Sequence, residues 1–519
     1  MTGPARRARA ILRVALVVGA VAVTAVAVQD ATGPSHDTPR SSTAPAGAPA
    51  TPVPTPATAP RPTPFAAGDV PGLLAVGMPY ADDAAGALDV FWPDGRTQHL
   101  TYAGLNLPAR EEGTFFGASS VPADLNGDGR TDLVVAAPGN AKDGYYGRRG
   151  YLTEERSKQP PGRSGRVYIL FASRDGFDGE DVVTLPLPTH EYDLMGRAIA
   201  VTSRAGGAHD VWVGAPALGV DGKPGAGRLY RVAVSPGGRP RLADELTEDS
   251  PGIEGMSHWG NGFGRALATA PGGVLVGMPN RTVDGQEGAG AVLQIRTDPR
   301  TGAPRASRLF VQGTYGLPDT PEKDDFFGSR ITPGGQAVGV PEENLGKTAN
   351  AGAVQLFSVP PDGSGWLTPG PLLTRDSPGV PDTAHPYESF GISLAVGTFA
   401  CPGVATLAIG TSRWSRRGET TRHGGDVLVM PLGAGNCPAR TLTRADFGLL
   451  PDSSLTDAGE LATVGAADRQ QLVMGRPSEH ADDEPLFTGR VVLWRMDRAV
   501  VVSPLNSVPD SFGTTLSEA

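Results

Sequence analysis

From Phe65 onward, short apolar runs alternate with Gly-rich gaps, and one run recurs in recognisable form. It ends in Gly-x-Pro or a near variant: LLAVGMP to Pro79, DLVVAAP to Pro138, VWVGAP to Pro216, VLVGMP to Pro279, QAVGVP to Pro341 and LVMGRP to Pro477. LAIGTS, ending at Ser412, is a weaker seventh copy. After a Gly-rich gap each run is followed by Gly and an alternating apolar stretch, as in GALDVFW, GRVYILF, GAVLQI and GRVVLW. Short runs of this pattern between turn residues are strands. Most copies are also preceded, some twenty residues earlier, by an aromatic-Gly or Met-Gly step. These steps are Phe116-Gly117, Met195-Gly196, Phe263-Gly264, Phe327-Gly328 and Phe390-Gly391, with Ala458-Gly459 degraded and Phe512-Gly513 at the very end.

Equivalent prolines stand 59 to 78 residues apart, which suits one four-stranded antiparallel sheet per unit with variable loops. One such sheet cannot bury both faces alone, so the units must pack on each other, and seven in a circle leave none uncovered. The pattern therefore predicts an all-β chain folded as a seven-bladed β-propeller over residues 66–519. The first unit has its Gly-Met-Pro strand but no leading Phe-Gly strand, and the tail SFGTTLSEA, residues 511–519, supplies a spare one. Closure by that tail removes an edge that would otherwise invite aggregation. An open solenoid with two caps leaves the matched deficit and surplus unexplained.

Composition narrows the picture. The chain of 519 residues holds 71 Gly and 49 Pro, too many for a helical bundle. Its net charge of −10 argues against general binding to nucleic acid or anionic membranes, which needs a cationic footprint. Two cysteines exclude a thiolate zinc cage. Residues 1–28 have a basic start, Arg6, Arg7, Arg9 and Arg13, then an uncharged apolar stretch. Both a cleaved secretory signal and an uncleaved anchor fit that layout, and either exports the remainder. Residues 29–65 are almost all Pro, Thr, Ala, Ser and Gly, a linker that reads as a semi-rigid stalk or as a disordered leader. The protein is thus expected in the secreted or cell-surface compartment, with membrane contact only through that N-terminal segment.

The stretch FFGASSVPADLNGDGRTDLVVAAPG, residues 115–139, resembles an FG-GAP repeat, the unit of the integrin α-subunit propeller and of many secreted bacterial proteins. The resemblance extends over about residues 66–519, close in the second unit and degenerate in the first, sixth and seventh. It implies a propeller that binds Ca²⁺ in blade loops and presents loops to a partner. In DLNGDGRTD, oxygen-bearing side chains fall on Asp124, Asn126, Asp128 and Asp132, and the Arg130 carbonyl can fill a further position. A hard divalent cation wanting six to eight oxygens fits this set, and Ca²⁺ is the usual occupant outside the cell. This is no EF-hand, because the twelfth position is Val135 rather than a bidentate Glu. The equivalent loops of the third and fourth units lack the ligands, so one strong site is expected, pinning a hairpin. A polar turn without metal is the plainer alternative.

Antiparallel blades place the Ca²⁺ loop on one face and the loops after Gly-x-Pro, with those before Phe-Gly, on the other. Residues 139–164 carry Tyr145, Tyr146, Arg148, Arg149 and Tyr151; residues 412–424 carry Trp414, Arg416 and Arg417. Arg and aromatic residues dominate interface hot spots, which marks these as ligand-face candidates, against a plainer reading as solvated, variable loops. Acidic residues before the Phe-Gly steps, Glu112, Asp193, Asp325, Glu388 and Asp510, circle one mouth of the axial channel if those steps start the innermost strands. A cation site there is conceivable, and turn residues held in water are the plainer reading. Cys401 and Cys437 are expected to form a disulfide, as two cysteines of an exported chain usually do. The eight histidines are scattered and no HExxH, GxSxG or phosphate-cradling motif occurs. The expectation is a monomeric, calcium-stabilised binding or adhesion module for a protein or cell-surface ligand, without catalysis. The alternatives are a hydrolase or lyase with its site at the channel mouth, and a carbohydrate- or wall-binding scaffold.

Overall fold

The computed structural model describes residues 66–107, 113–139, 164–360, 365–412, 425–433, 437–442, 446, 460–466, 468–476, 490–496, 498–502 and 515–516. The N-terminal 65 residues and the loops carrying Tyr145, Tyr146, Arg148, Arg149, Trp414, Arg416 and Arg417 lie outside them.

The repeated runs all become strands, and the strands assemble into seven separate antiparallel sheets, the blades. Six blades have four strands and the fifth has three. In each complete blade the run that ends in Gly-x-Pro is the second strand from the axis, as in Asp132–Ala137 of blade 2 and His209–Ala215 of blade 3. These second strands are almost wholly buried, while outer strands such as Pro240–Leu246 are half-exposed. The difference follows from position, since a second strand is covered by neighbouring blades on both faces. Blade 5 departs from the four-strand expectation for a local reason. Its innermost segment turns through Pro333-Gly334-Gly335 in a 3-10 turn, with Gly334 at φ 82°, and only Ile331 pairs, with Val338. Gly334 and Gly335 both take positive φ, 82° and 78°, and turn the chain out of the extended conformation before a ladder can lengthen.

Ring closure is seen in the packing. Among the described residues seven buried apolar clusters occur, each shared by two neighbouring blades. The cluster that closes the circle joins Ala462, Val473 and Leu493 of blade 7 to Leu74, Val76 and Phe91 of blade 1, and Leu516 sits in it. The tail strand Thr515–Leu516 pairs with Gly77 and Val76, and the Thr515 hydroxyl donates to the Gly117 carbonyl at 2.6 Å. The C-terminal strand is thus the innermost strand of the first blade.

The recurring glycines have a shared physical reason. The Gly of Gly-x-Pro in one blade lies against the Gly of Phe-Gly in the next: a Cβ on Gly77 would fall 2.1 Å from the Gly117 carbonyl oxygen, and one on Gly214 would fall 1.9 Å from that of Gly264. Only a hydrogen fits there. The preceding aromatic fills the space between blades: Phe116, Phe263, Phe327 and Phe390 are all fully buried, each in the cluster between its own blade and the one before. Each also makes a parallel bridge to the glycine that opens the third strand of the preceding blade, Gly86, Gly227, Gly290 or Gly352. The motif therefore encodes blade-to-blade docking as much as the strand it belongs to.

Blade 6 carries the disulfide. Cys401, at the end of its inner strand Ser393–Cys401, is bonded to Cys437 just before its outer strand Arg440–Leu442, with Cα atoms 6.4 Å apart.

Candidate functional site

Two loop systems, one on each face, bring charged groups together. On the first face the turn of blade 2 runs from the inner strand Ser119–Ala123 to the second strand Asp132–Ala137. Asp124 folds over the turn: its Oδ1 accepts from the Gly127 and Asp128 amides at 2.8 and 3.2 Å, and its Oδ2 accepts from the Gly129 amide at 3.0 Å. Gly127 and Gly129 both take positive φ, 77° and 83°, which lets the chain present those amides. Asn126 accepts from the Asp128 amide at 3.0 Å, and Asp128 is paired with the Arg130 guanidinium at 2.6 Å. Asp132 is fully buried beneath them, its two oxygens accepting from the Leu125 and Ala172 amides at 2.9 Å each. Burial pushes its carboxyl upward, and the negative charges of Asp128 and Asp124 add to that.

The same position in blade 3 is built differently. Asp210 is buried like Asp132, yet two guanidinium groups face it, Arg231 at 2.8 Å and Arg204 at 3.1 Å. Blade 2 has three carboxylates around one arginine, and that arginine turns to the surface to meet Asp128. The donor set of Asp124, Asn126, Asp128 and Asp132, hard oxygens in excess of positive charge, fits a calcium ion.

On the opposite face lie the loops that cross between blades. Here the structure corrects the solvated reading of the acidic residues before Phe-Gly. Asp193, Asp325 and Glu388 are fully buried, and Glu112 and Asp510 lie outside the described residues. Asp193 accepts from the Gly165, Met195 and His190 amides at 2.9, 3.0 and 3.3 Å, so it ties the crossing loop to blade 2. The side chains that line the axial channel are others: Arg197, Arg265 and Arg330, with Glu460, which pairs with Arg330 at 3.1 Å. No histidine lines it among the described residues.

Three successive crossings carry the related turns TEDSPG, VQGTYG and TRDSPG, residues 247–252, 311–316 and 374–379. The second residue of each turn is buried and meets the residue three before the Gly of Phe-Gly, or a partner of it. At the first crossing buried Glu248 is ion-paired with Arg281 and accepts from Asn261 at 2.6 Å. At the third, buried Arg375 pairs with buried Glu388 at 2.9 Å and with Asp426. At the second, Gln312 donates to Glu343 at 2.8 Å, and Glu343 lies beside Asp325 and Glu322. Sequence reading missed this arrangement because the partners are distant along the chain; the thrice-repeated turn was the available signal.

The same face exposes apolar side chains. Met256 and Trp259, on the first crossing, are 65% and 49% exposed, and Tyr315, on the second, is 53% exposed. Trp259 forms one wall of a surface pocket closed by Leu194, Pro216, Pro224 and Arg265.

Comparison with known proteins agrees with this geometry. The FG-GAP repeat family matches residues 116–170. Mouse integrin alpha-IIb is 32% identical over 196 residues, 37% of this chain and 17% of the integrin. Integrin alpha-3 of Cricetulus griseus is 31% identical over 157 residues, 30% of this chain and 13% of the integrin. Residues 116–170 are an FG-GAP repeat, set in a seven-bladed propeller that is similar in part to integrin α subunits. The matched part of this propeller spans under a fifth of either integrin's length. Among solved structures, the acylaminoacyl peptidase of Pyrococcus horikoshii aligns over 83% of this chain and 51% of its own at 8% identity and a TM-score of 0.36, a likeness too slight to bear on chemistry.

Proposed function

We propose that this propeller is an exported, calcium-stabilised binding module, secreted or held at the cell surface, that recognises a protein or cell-surface ligand with its crossing-loop face and performs no catalysis. The observation that carries this reading is the exposure of Met256, Trp259 and Tyr315 on two successive crossings of that face, with Trp259 also walling a pocket. Large apolar side chains left in water on a rigid scaffold, grouped in its crossing loops, are what an interface core uses.

Calcium belongs to the other face in this proposal. Asp124, Asn126, Asp128 and Asp132 with the Arg130 carbonyl would hold it, and the ion would offset the carboxylates that no second arginine meets. Held there, it fixes the hairpin of blade 2 and leaves recognition to the opposite loops. In this proposal the protein acts as a monomer, because the blades leave only short outer edges unpaired.

The test is retention of the full chain on native cell-surface material. The wild-type chain and the Met256→Ser/Trp259→Ala variant are compared, each with and without chelator. The expected result is at least a tenfold loss of retention for the double variant and a partial loss with chelator. Equal retention of variant and wild type would refute the assignment of the binding face.

A further inference from the structure

The second crossing differs from its neighbours in charge. At the first, buried Glu248 is answered by Arg281; at the third, buried Glu388 is answered by Arg375. The residue in the place of Arg281, two after the Gly-x-Pro proline, is Glu343 here, and in the place of Arg375 stands Gln312. Blade 5 therefore buries two carboxylates, Asp325 and Glu343, where the equivalent sites on either side hold a carboxylate with a guanidinium.

The local contacts do not relieve that charge. Glu343 has the Gln312 amide on Oε2 at 2.8 Å, and Asp325 has the Glu322 backbone amide on Oδ2 at 2.7 Å. The Oδ1 of Asp325 is buried and has no hydrogen-bond partner. The third carboxylate, Glu322, is exposed and is held by the Asn344 amide at 3.0 Å. One oxygen from each of Glu322, Asp325 and Glu343 lies within 4.8 Å of the other two. The other charged groups around them, Asp319 and Asp324, are also acidic, and Lys323 turns away to Glu287. Without a cation, burial and the mutual repulsion of these groups push Asp325 up to about 7 and Glu343 up to about 8.

We propose that Glu322, Asp325 and Glu343 form a site for a hard divalent cation at the junction of blades 4 and 5, separate from the Asp124 loop. Three carboxylates with one exposed member make an all-oxygen set open to water on one side, which suits Ca²⁺ and excludes a thiophilic metal. The cation replaces the guanidinium that the neighbouring crossings supply, and it joins the crossing loop that presents Tyr315 to the loop that follows Pro341.

The experiment is calorimetric titration of the full chain with CaCl₂, for the wild type, the Asp128→Ala loop variant, Glu343→Gln and Glu322→Gln. Glu343→Gln should lose one bound Ca²⁺ relative to the wild type while Asp128→Ala retains it, and Glu322→Gln should weaken the same site at least tenfold. Glu322 is exposed, so its variant decides the question should Glu343→Gln fail to fold. Calcium should also raise the melting temperature of Asp128→Ala but not that of Glu343→Gln in the Asp128→Ala background. Unchanged stoichiometry and affinity in both cluster variants, or a chain that binds no Ca²⁺ at this junction, would overturn the proposal. Failure of the Asp128→Ala variant alone to lose calcium would instead count against the blade 2 loop.

Discussion

Arg375 is a fully buried charge on the crossing face, and its removal should be strongly damaging. Its guanidinium is fully enclosed, pairs with fully enclosed Glu388 at 2.9 Å, reaches Asp426, and lies 5.3 Å from the centre of the Phe390 ring. Arg375→Met keeps most of the volume and removes the charge, so buried Glu388 keeps the His385 amide, 3.1 Å away, on its second oxygen but loses its guanidinium. Asp426 is partly exposed and can turn to water. At an effective dielectric near 20, two unit charges ~4 Å apart attract by ~4 kcal/mol. Breaking a buried pair by removing one partner typically costs ~3–5 kcal/mol, whereas replacing both partners is close to neutral. We therefore expect Arg375→Met to lower stability by ~3–5 kcal/mol, and Arg375→Met/Glu388→Gln to recover all but ~1–2 kcal/mol of it. Urea unfolding followed by the fluorescence of buried Trp212 and Trp494 measures both. A loss below ~1 kcal/mol in the single variant, or a double variant no better than the single, would refute the view that unpaired charge sets the penalty.

Other consequences can be checked directly. Gly214→Ala places a methyl against the Gly264 carbonyl of the next blade and should cost ~1–3 kcal/mol or more, while Gly237→Ala, with open space around it, should be near neutral in calorimetric melting. Leu516→Ala empties the closing cluster and should cost ~2–5 kcal/mol, and protease digestion should then begin at the junction of blades 1 and 7. Asp193 is raised by burial, so the folded state holds its proton to higher pH than the unfolded chain does. Stability is then fully retained below pH ~4 and declines as pH rises through the raised value, and Asp193→Asn should flatten that decline.

Much of this architecture was legible in the chain because its signals are local and repeated. The run ending in Gly-x-Pro, the Phe-Gly step and the spare tail each depend on a strand or turn of a few residues, and repetition turned weak signals into a count of seven. The glycines were readable as positions without a side chain, although only the packed blades show that Gly77 and Gly214 are needed for contact with a neighbour's carbonyl. The loop of Asp124, Asn126, Asp128 and Asp132 was readable for the same reason, since its groups lie within nine residues.

Charge burial was decided by tertiary structure. The carboxylates before Phe-Gly look alike as text, and the surface reading given to them failed because exposure depends on what the adjacent blade brings. Asp193 meets backbone amides, Glu388 meets Arg375, and Asp325 meets two further carboxylates. Likewise, which apolar residues remain in water, Met256, Trp259 and Tyr315, follows from the place of each crossing on the ring. Periodicity along the chain fixes strands because backbone pairing is short-ranged; the energy of a buried charge is set by partners on other loops and blades, which only the folded ring brings together.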